Sequence, residues 1–152
     1  MQADVSEDGL VKLLQTINDG RRYASQSREV AVAEAIVEQL FSPSTRLAVY
    51  GTLAPGEEND WALKSLQGQW NDGFVRGNLF PPGSWGGGIE YPGFKWEVDG
   101  NPVAVKVFES AELSTDWERL DAFEGDKYQR ILVLVESGFD TAQIANLYSM
   151  RA

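Results

Sequence analysis

The amino-acid sequence predicts an α+β protein, and three observations support this prediction. Apolar residues recur at helical spacing before residue 44, whereas short strand-like segments separated by glycine and proline follow it. A further helical segment interrupts these strands near residue 120. The chain has 152 residues, of which 43% are hydrophobic and 24% charged, so it is long enough for one domain with a buried core.

Two short amphipathic helices are predicted before residue 44. The apolar stripe of the first consists of Leu10, Leu13, Leu14 and Ile17. We expect this helix to stop at the Asn-Asp-Gly sequence of residues 18–20. The stripe of the second consists of Val30, Ala33, Val37 and Leu40, and Ser25 and Ser27 are its candidate N-caps. The Ser-Pro-Ser-Thr sequence of residues 42–45 then ends the helical pattern.

Six strands are predicted after this break, near residues 46–50, 73–80, 93–98, 102–108, 128–135 and 143–149. The Asp-Gly pair within residues 98–101 predicts a tight hairpin between the third and fourth strands. Residues 60–68 predict a short helix. Residues 113–125 predict another, begun by a capping box from Thr115 to Glu118.

The composition limits the chemistry that this protein can perform. There are no cysteines and no histidines, so thiolate nucleophiles, disulfides, thiolate metal sites and imidazole bases are all excluded. Carboxylates therefore become the leading candidates for proton transfer.

The charge of the chain limits its partners. A formal net charge of −10 argues against a nucleic-acid partner and against an acidic membrane surface. The first ten residues are acidic and do not resemble a secretory signal, and no apolar run is long enough to span a membrane. We therefore expect a cytoplasmic protein, whose oligomeric state the sequence does not indicate.

Glu124 stands where an apolar residue is expected. On a helix it lies about 20° from both Leu113 and Trp117, within the stripe that these residues form with Leu120. Desolvation and the helix dipole both disfavour a charged carboxylate at this position, which suits a general acid or base. Alternatively, the helix ends here, Gly125 forms its C-cap and the carboxylate turns to water. Asp121, one turn earlier, is expected at the edge of the solvated face.

A second candidate site is the sequence YGTLAPG, residues 50–56, which directly follows the first strand. A glycine at a strand end allows successive backbone N–H groups to converge on a carboxylate or an oxyanion. The alternative is an ordinary turn that terminates the strand, and spacing alone favours that alternative.

Three motifs together resemble those of the gamma-glutamyl cyclotransferase-like family, which includes gamma-glutamylamine cyclotransferase. They are VYGTLAPG at 49–56, YPG at 91–93, and LDAFEG at 120–125 followed by Tyr128 and Arg130. The resemblance spans roughly residues 46–150. It implies a compact mixed β-barrel with flanking helices over residues 45–152. The two predicted helices lie outside the resemblance and form a helical N-terminal extension over residues 1–44.

The resemblance also implies an activity and a site. The family closes gamma-glutamyl amines or amides to 5-oxoproline without a metal or cofactor and releases the free amine. Glu124 matches its acid/base, and the substrate-binding residues implied are Tyr50, Gly51, Thr52, Leu53 and Tyr128. Residues 54–61 and the Val105-Lys106 pair depart from the common family pattern, so the leaving amine stays open. The competing reading is a non-catalytic binding or interaction module on the same fold.

Overall fold

A computed structural model describes residues 7–23, 27–51, 53–84, 91–137 and 142–151 of the chain. Its helices are α1 (Glu7–Arg22), α2 (Arg28–Phe41), α3 (Trp61–Lys64) and α4 (Trp117–Glu124). Its strands are β1 (Arg46–Val49), β2 (Gln69–Phe80), β3 (Gly93–Trp96), β4 (Asn101–Glu109), β5 (Tyr128–Val135) and β6 (Gln143–Met150). None of the helices in these ranges is long and apolar enough to cross a membrane.

The strands form one mixed sheet in the order β3-β2-β4-β1-β6-β5. The β1–β6 pairing is parallel, whereas the other pairings of the sheet are antiparallel. Phe74 in β2 and Glu136 after β5 exchange two backbone hydrogen bonds of 2.8 and 2.9 Å, which join the edge strand β5 to the part of β2 that β3 does not cover. The fold is therefore a nearly closed six-stranded barrel with flanking helices, and the predicted α+β class is confirmed.

Strand β6 shows how the core is divided, because successive side chains of a strand point to opposite faces. Ala145 and Leu147 belong to the cluster of buried residues inside the barrel. Ile144 packs with the apolar faces of α1 and α2, while Tyr148 packs with Leu120 of α4. The strand is buried on both faces, so it lies between the barrel interior and the helices outside.

The predicted end of the first helix is wrong, because α1 continues through residues 18–20 to Arg22. These residues make tertiary contacts instead of ending the helix. The Asn18 side chain donates to the Leu132 carbonyl at 2.9 Å and accepts from the Leu132 N–H at 2.8 Å. A Cβ on Gly20 would lie 2.6 Å from Val30, so glycine permits the close approach of α1 and α2.

The start of the second helix agrees with one of its two candidate caps. Ser27 is the N-cap of α2, and its hydroxyl accepts from the Val30 N–H at 3.3 Å. Ser25 lies outside the described residues.

The hairpin predicted at residues 98–101 is also wrong. The tight turn is present, since the Gly100 N–H donates to the Glu97 carbonyl at 2.9 Å. However, β3 and β4 each pair with β2, along successive stretches of that long strand. The turn therefore joins two strands that share a partner and are not paired with each other.

The predicted capping box at Thr115 is absent. Residues Ala111–Thr115 form a 3₁₀ turn, and Asp116 is the N-cap of α4 without a side-chain capping bond. The Thr115 hydroxyl donates to the Glu112 carbonyl at 3.2 Å. Leu113 is therefore outside α4, although it is fully buried with Leu120 in one cluster.

Candidate active site

An open cavity of about 220 Å³ lies beside the C-terminal end of β1. Its walls come from the loop after β1, from Tyr91 and Pro92, and from the C-terminal end of α4. Five of the six residues named from the sequence line it together: Tyr50, Gly51, Leu53, Glu124 and Tyr128. The sixth, Thr52, lies outside the described residues. The fold thus brings segments more than seventy positions apart to one place.

Glu124 is the last residue of α4 and contributes the cavity's carboxyl group. The helix ends at Glu124 with Gly125 as its C-cap, since Gly125 has φ 78° and donates its N–H to the Asp121 carbonyl at 3.1 Å. This part of the non-catalytic alternative is therefore present. The Glu124 side chain nevertheless lines the cavity and is largely buried. Burial, with a smaller contribution from the charge of Asp121, raises the pKa of Glu124 from 4.5 to about 7.

Tyrosine side chains surround this carboxyl group. The Tyr50 hydroxyl donates to the Tyr148 carbonyl at 2.6 Å, and the Tyr128 hydroxyl donates to the Pro92 carbonyl at 2.7 Å. Burial raises the pKa of Tyr50 and Tyr148, and it raises the pKa of Tyr128 to about 12. These phenols stay protonated at neutral pH, whereas Glu124 exchanges its proton there. The cavity therefore combines one titrating group with a fixed hydrogen-bonding wall.

The loop after β1 is held in place by packing. A Cβ on Gly51 would approach Pro92 Cγ to 3.1 Å, a tight contact that a larger residue could make only if Pro92 moved slightly away. Leu53 is buried in a cluster with Ala62 and Leu63, which anchors the other end of the loop. The Tyr50 ring lies 5.5 Å from the ring of Phe94, measured between centroids. The backbone atoms of Gly51 and Leu53 are thereby held at the cavity edge.

Tyr148 is a cavity residue that the sequence did not single out. It lies in β6 among buried residues, and its hydroxyl donates to Asp121 Oδ1 at 2.7 Å. Its one sequence signal is a polar tip within an otherwise apolar buried strand. Asn59 and Phe123 also line the cavity without having been singled out, while Tyr91 and Pro92 belong to the YPG motif.

Asp121 is exposed, as expected, but its carboxylate is bound on two sides. Besides Tyr148, it accepts from Arg130 Nε at 2.8 Å and from Arg130 Nη2 at 3.3 Å. Both partners come from strands of the barrel. Asp121 is therefore a fixed negative charge one turn from Glu124.

Residues 47–152 match the family model described as gamma-glutamyl cyclotransferase, AIG2-like. The chain belongs to this family. The crystal structure of an AIG2-like protein from Mus musculus is 20% identical with a TM-score of 0.55, over 70% of this chain and 76% of that one. YkqA from Bacillus subtilis is 27% identical with a TM-score of 0.54, over 70% of this chain and 35% of that one.

Part of a larger protein also has a similar structure. Kluyveromyces lactis allophanate hydrolase is 17% identical with a TM-score of 0.53, over 69% of this AIG2-like chain and 17% of that chain. No curated protein sequence matches. These likenesses establish the gamma-glutamyl cyclotransferase-like barrel, and the family match excludes the first 46 residues, which contain α1 and α2.

Proposed function

We propose that this protein is a gamma-glutamyl cyclotransferase, in which Glu124 acts as general acid and base. The observation that carries the proposal is a carboxyl group with a pKa of about 7 in the tyrosine-walled cavity of a gamma-glutamyl cyclotransferase-like fold. A proton-transfer group is most effective when its pKa lies near the working pH, and burial gives Glu124 this property.

The reaction closes one ring and releases one amine. The α-amine nitrogen of a gamma-glutamyl compound attacks its own γ-carbonyl carbon, and a new C–N bond closes the five-membered ring. The ionised Glu124 takes a proton from this amine and returns it to the leaving nitrogen as the original C–N bond breaks. The products are 5-oxoproline and the free amine, so atoms and protons balance without another reactant.

The cavity walls supply orientation and charge stabilisation in this proposal. Nucleophile and electrophile belong to one molecule, so the site has to hold the substrate folded with the amine close to the carbonyl. The backbone N–H groups of Gly51 and Leu53 are the proposed donors to the oxyanion or to the substrate's carboxylate. Tyr50 and Tyr128 form a rigid wall, because their hydroxyls are bound to backbone carbonyls.

The leaving amine is proposed to occupy a neighbouring cavity of about 530 Å³ that shares Tyr50, Gly51 and Pro92 with the first. Its polar lining includes Glu57, Asp72 and Lys106, of which the last two form an ion pair. Asp60 is bound to Lys64 at 3.4 Å and to the Gly56 N–H at 3.1 Å.

Glu57 is therefore the acidic residue best placed to meet a cationic leaving amine. This observation favours gamma-glutamyl conjugates of basic amines as substrates. The alternative is that the acidic loop of residues 57–60 serves only as a solvated surface.

The test is release of 5-oxoproline from a panel of gamma-glutamyl compounds whose leaving amines are basic, neutral or acidic. We expect turnover by the wild-type protein and loss of turnover in Glu124→Gln, while a gamma-glutamyl ligand still binds to the variant. Tight binding of such ligands by the wild-type protein without any 5-oxoproline would identify a binding module and refute the proposal.

A further inference from the structure

Arg21 connects the N-terminal helices to the barrel. It lies in the last turn of α1, and its Nε and Nη2 atoms donate to Glu34 Oε1 of α2 at 3.0 and 2.8 Å. Its Nη1 atom donates to Asn146 Oδ1 of β6 at 2.9 Å. The Arg21 side chain is 20% exposed. One guanidinium thus binds both the second helix and a central strand of the barrel.

Arg130 of β5 donates to the same oxygen, since its Nη1 lies 2.9 Å from Asn146 Oδ1. The orientation of this buried amide is fixed by its other end, because Asn146 Nδ2 donates to the Pro43 carbonyl at 2.9 Å. Two positively charged groups therefore share one acceptor. Burial, and then the charge of Arg130, lowers the pKa of Arg21. Such a pair is stable only with compensating carboxylates, and Glu34 and Asp121 provide them.

From Arg130 the network reaches the cavity. Its guanidinium stacks on the Trp117 ring at 4.6 Å and binds both carboxylate oxygens of Asp121. Asp121 also accepts from Tyr148, whose side chain lines the cavity, and its charge acts on Glu124. An unbroken series of hydrogen bonds therefore runs from α1 to the carboxylate that neighbours Glu124.

We propose that Arg21 is a positioning residue for Glu124: together with Arg130 it fixes Asn146 and compensates the charge of Asp121. Arg21 acts only through these residues, and it lies outside the region that matches the family model. The role of Glu124 as the catalytic group rests on the proposed function above. The electrostatic coupling of Arg21 to Glu124 does not require turnover and can be measured without it.

The charged and titratable groups around Glu124 come from several elements. Asp121 belongs to α4, Tyr50 lies at the end of β1, Tyr128 is in β5 and Tyr148 is in β6. Behind them stand Arg130 of β5, Arg21 of α1 and Glu34 of α2. Of these groups, Arg21 and Glu34 are the two contributed by the N-terminal helices.

The experiment is a titration of the Glu124 carboxyl carbon by NMR, with the signal assigned from its loss in Glu124→Gln. Asp121→Asn removes the neighbouring negative charge and is expected to lower the titration midpoint by about one pH unit or less. Arg21→Gln removes part of the compensation of Asp121 and should raise the midpoint by a few tenths of a pH unit, on the order expected for a solvent-screened charge. In the double variant, the effect of Arg21→Gln should disappear.

Two further variants complete the experiment. Arg22→Gln makes the same charge change one position later, on an exposed residue outside the network, and should leave the midpoint unchanged. If Arg21→Gln fails to fold, Arg21→Lys keeps the charge but loses the double contact that fixes Asn146, so it should raise the midpoint by a smaller amount. An unchanged midpoint in the Arg21 variants, or equal shifts with and without Asp121, would overturn the proposal. A clear coupling in a protein without turnover would refute the proposed enzyme but support this network.

Discussion

Replacing Glu124 by glutamine tests whether the cavity destabilises a charged carboxylate. Glutamine has the same shape but carries no charge, so the desolvation cost disappears while the packing is retained. The pKa of Glu124 in the folded protein is about 7 against 4.5 as its ordinary value. The folded protein therefore holds the Glu124 proton over a pH range in which the unfolded chain has already lost it.

The sign of the pH dependence follows from this difference. Below pH 4.5 both states are protonated, and Glu124 costs the folded state nothing. As the pH rises from 4.5 to about 7, the unfolded state binds fewer protons than the folded state, so the free energy of unfolding falls. Above about pH 7, the folded state bears the full free-energy cost of an ionised Glu124. At 1.36 kcal/mol per pH unit, the shift from 4.5 to about 7 corresponds to at most about 3.4 kcal/mol, and solvent in the open cavity reduces the penalty to about 1–2 kcal/mol.

The assay is denaturant and thermal unfolding of the wild-type protein and Glu124→Gln at pH 4 and pH 8. We expect equal stability at pH 4, within about 0.5 kcal/mol. At pH 8 the variant should be more stable by about 1–2 kcal/mol, which corresponds to a rise in Tm of about 3–6 °C for a domain of this size. The matched control is Glu118→Gln on the exposed side of the same helix, which should show no such gain.

Activity should change in the opposite direction from stability. A positioned acid/base contributes roughly 10²- to 10⁴-fold, so 5-oxoproline formation by Glu124→Gln should fall by that order. If the stability gain of the variant over wild type is no larger at pH 8 than at pH 4, burial does not disfavour the charged form of Glu124. Near wild-type turnover would refute the proposed role of Glu124.

Three further predictions concern the surroundings of the site. A chain beginning at Ser42 keeps the Pro43 carbonyl and should retain the cavity. Because α1 and α2 bury apolar surface, its free energy of unfolding should fall by at least about 3 kcal/mol. If circular dichroism shows an unfolded chain, these helices are an essential part of the core. Gamma-glutamyl conjugates of basic amines should release 5-oxoproline faster than conjugates of neutral or acidic amines. This difference in rate should become smaller at high salt and in Glu57→Gln. Equal rates for the three classes would contradict the preference. Tyr128→Phe removes the 2.7 Å hydrogen bond to the Pro92 carbonyl and should lower the free energy of unfolding by about 1 kcal/mol. An unchanged midpoint of chemical denaturation would show that this bond does not stabilise the cavity wall.

Much of the fold follows from local patterns in the sequence. The six predicted strands correspond to β1–β6, with β2 beginning four residues earlier than its predicted start at residue 73. The two N-terminal helices and the short helix at Trp61–Lys64 are also present. Alternation and helical spacing specify which element a segment forms, because each pattern describes a face that the segment itself can bury.

The candidate site was predictable for a similar reason. Gly51 follows the end of β1 and Glu124 is the last residue of α4, and at both ends a short sequence motif indicates a residue that differs from its surroundings. The structure places both residues in the lining of one cavity, and their chemical roles stay predictions. Tyr148 belongs to no recognisable motif. A buried tyrosine in a strand differs from its apolar neighbours only by the hydrogen bond of its hydroxyl, which here goes to Asp121.

Local patterns along the chain were sufficient to predict the α+β class, the order of the elements and a carboxylate at the C-terminal end of α4. Tertiary structure decided that β3 and β4 share β2 as a partner, that α1 continues past its expected stop, and that Asp121 is bound on two sides. The physical reason is the range of the contacts. Arg21 and Asn146 are 125 positions apart in the chain. The spacing of apolar residues does not indicate which distant group accepts a buried hydrogen bond or compensates a buried charge.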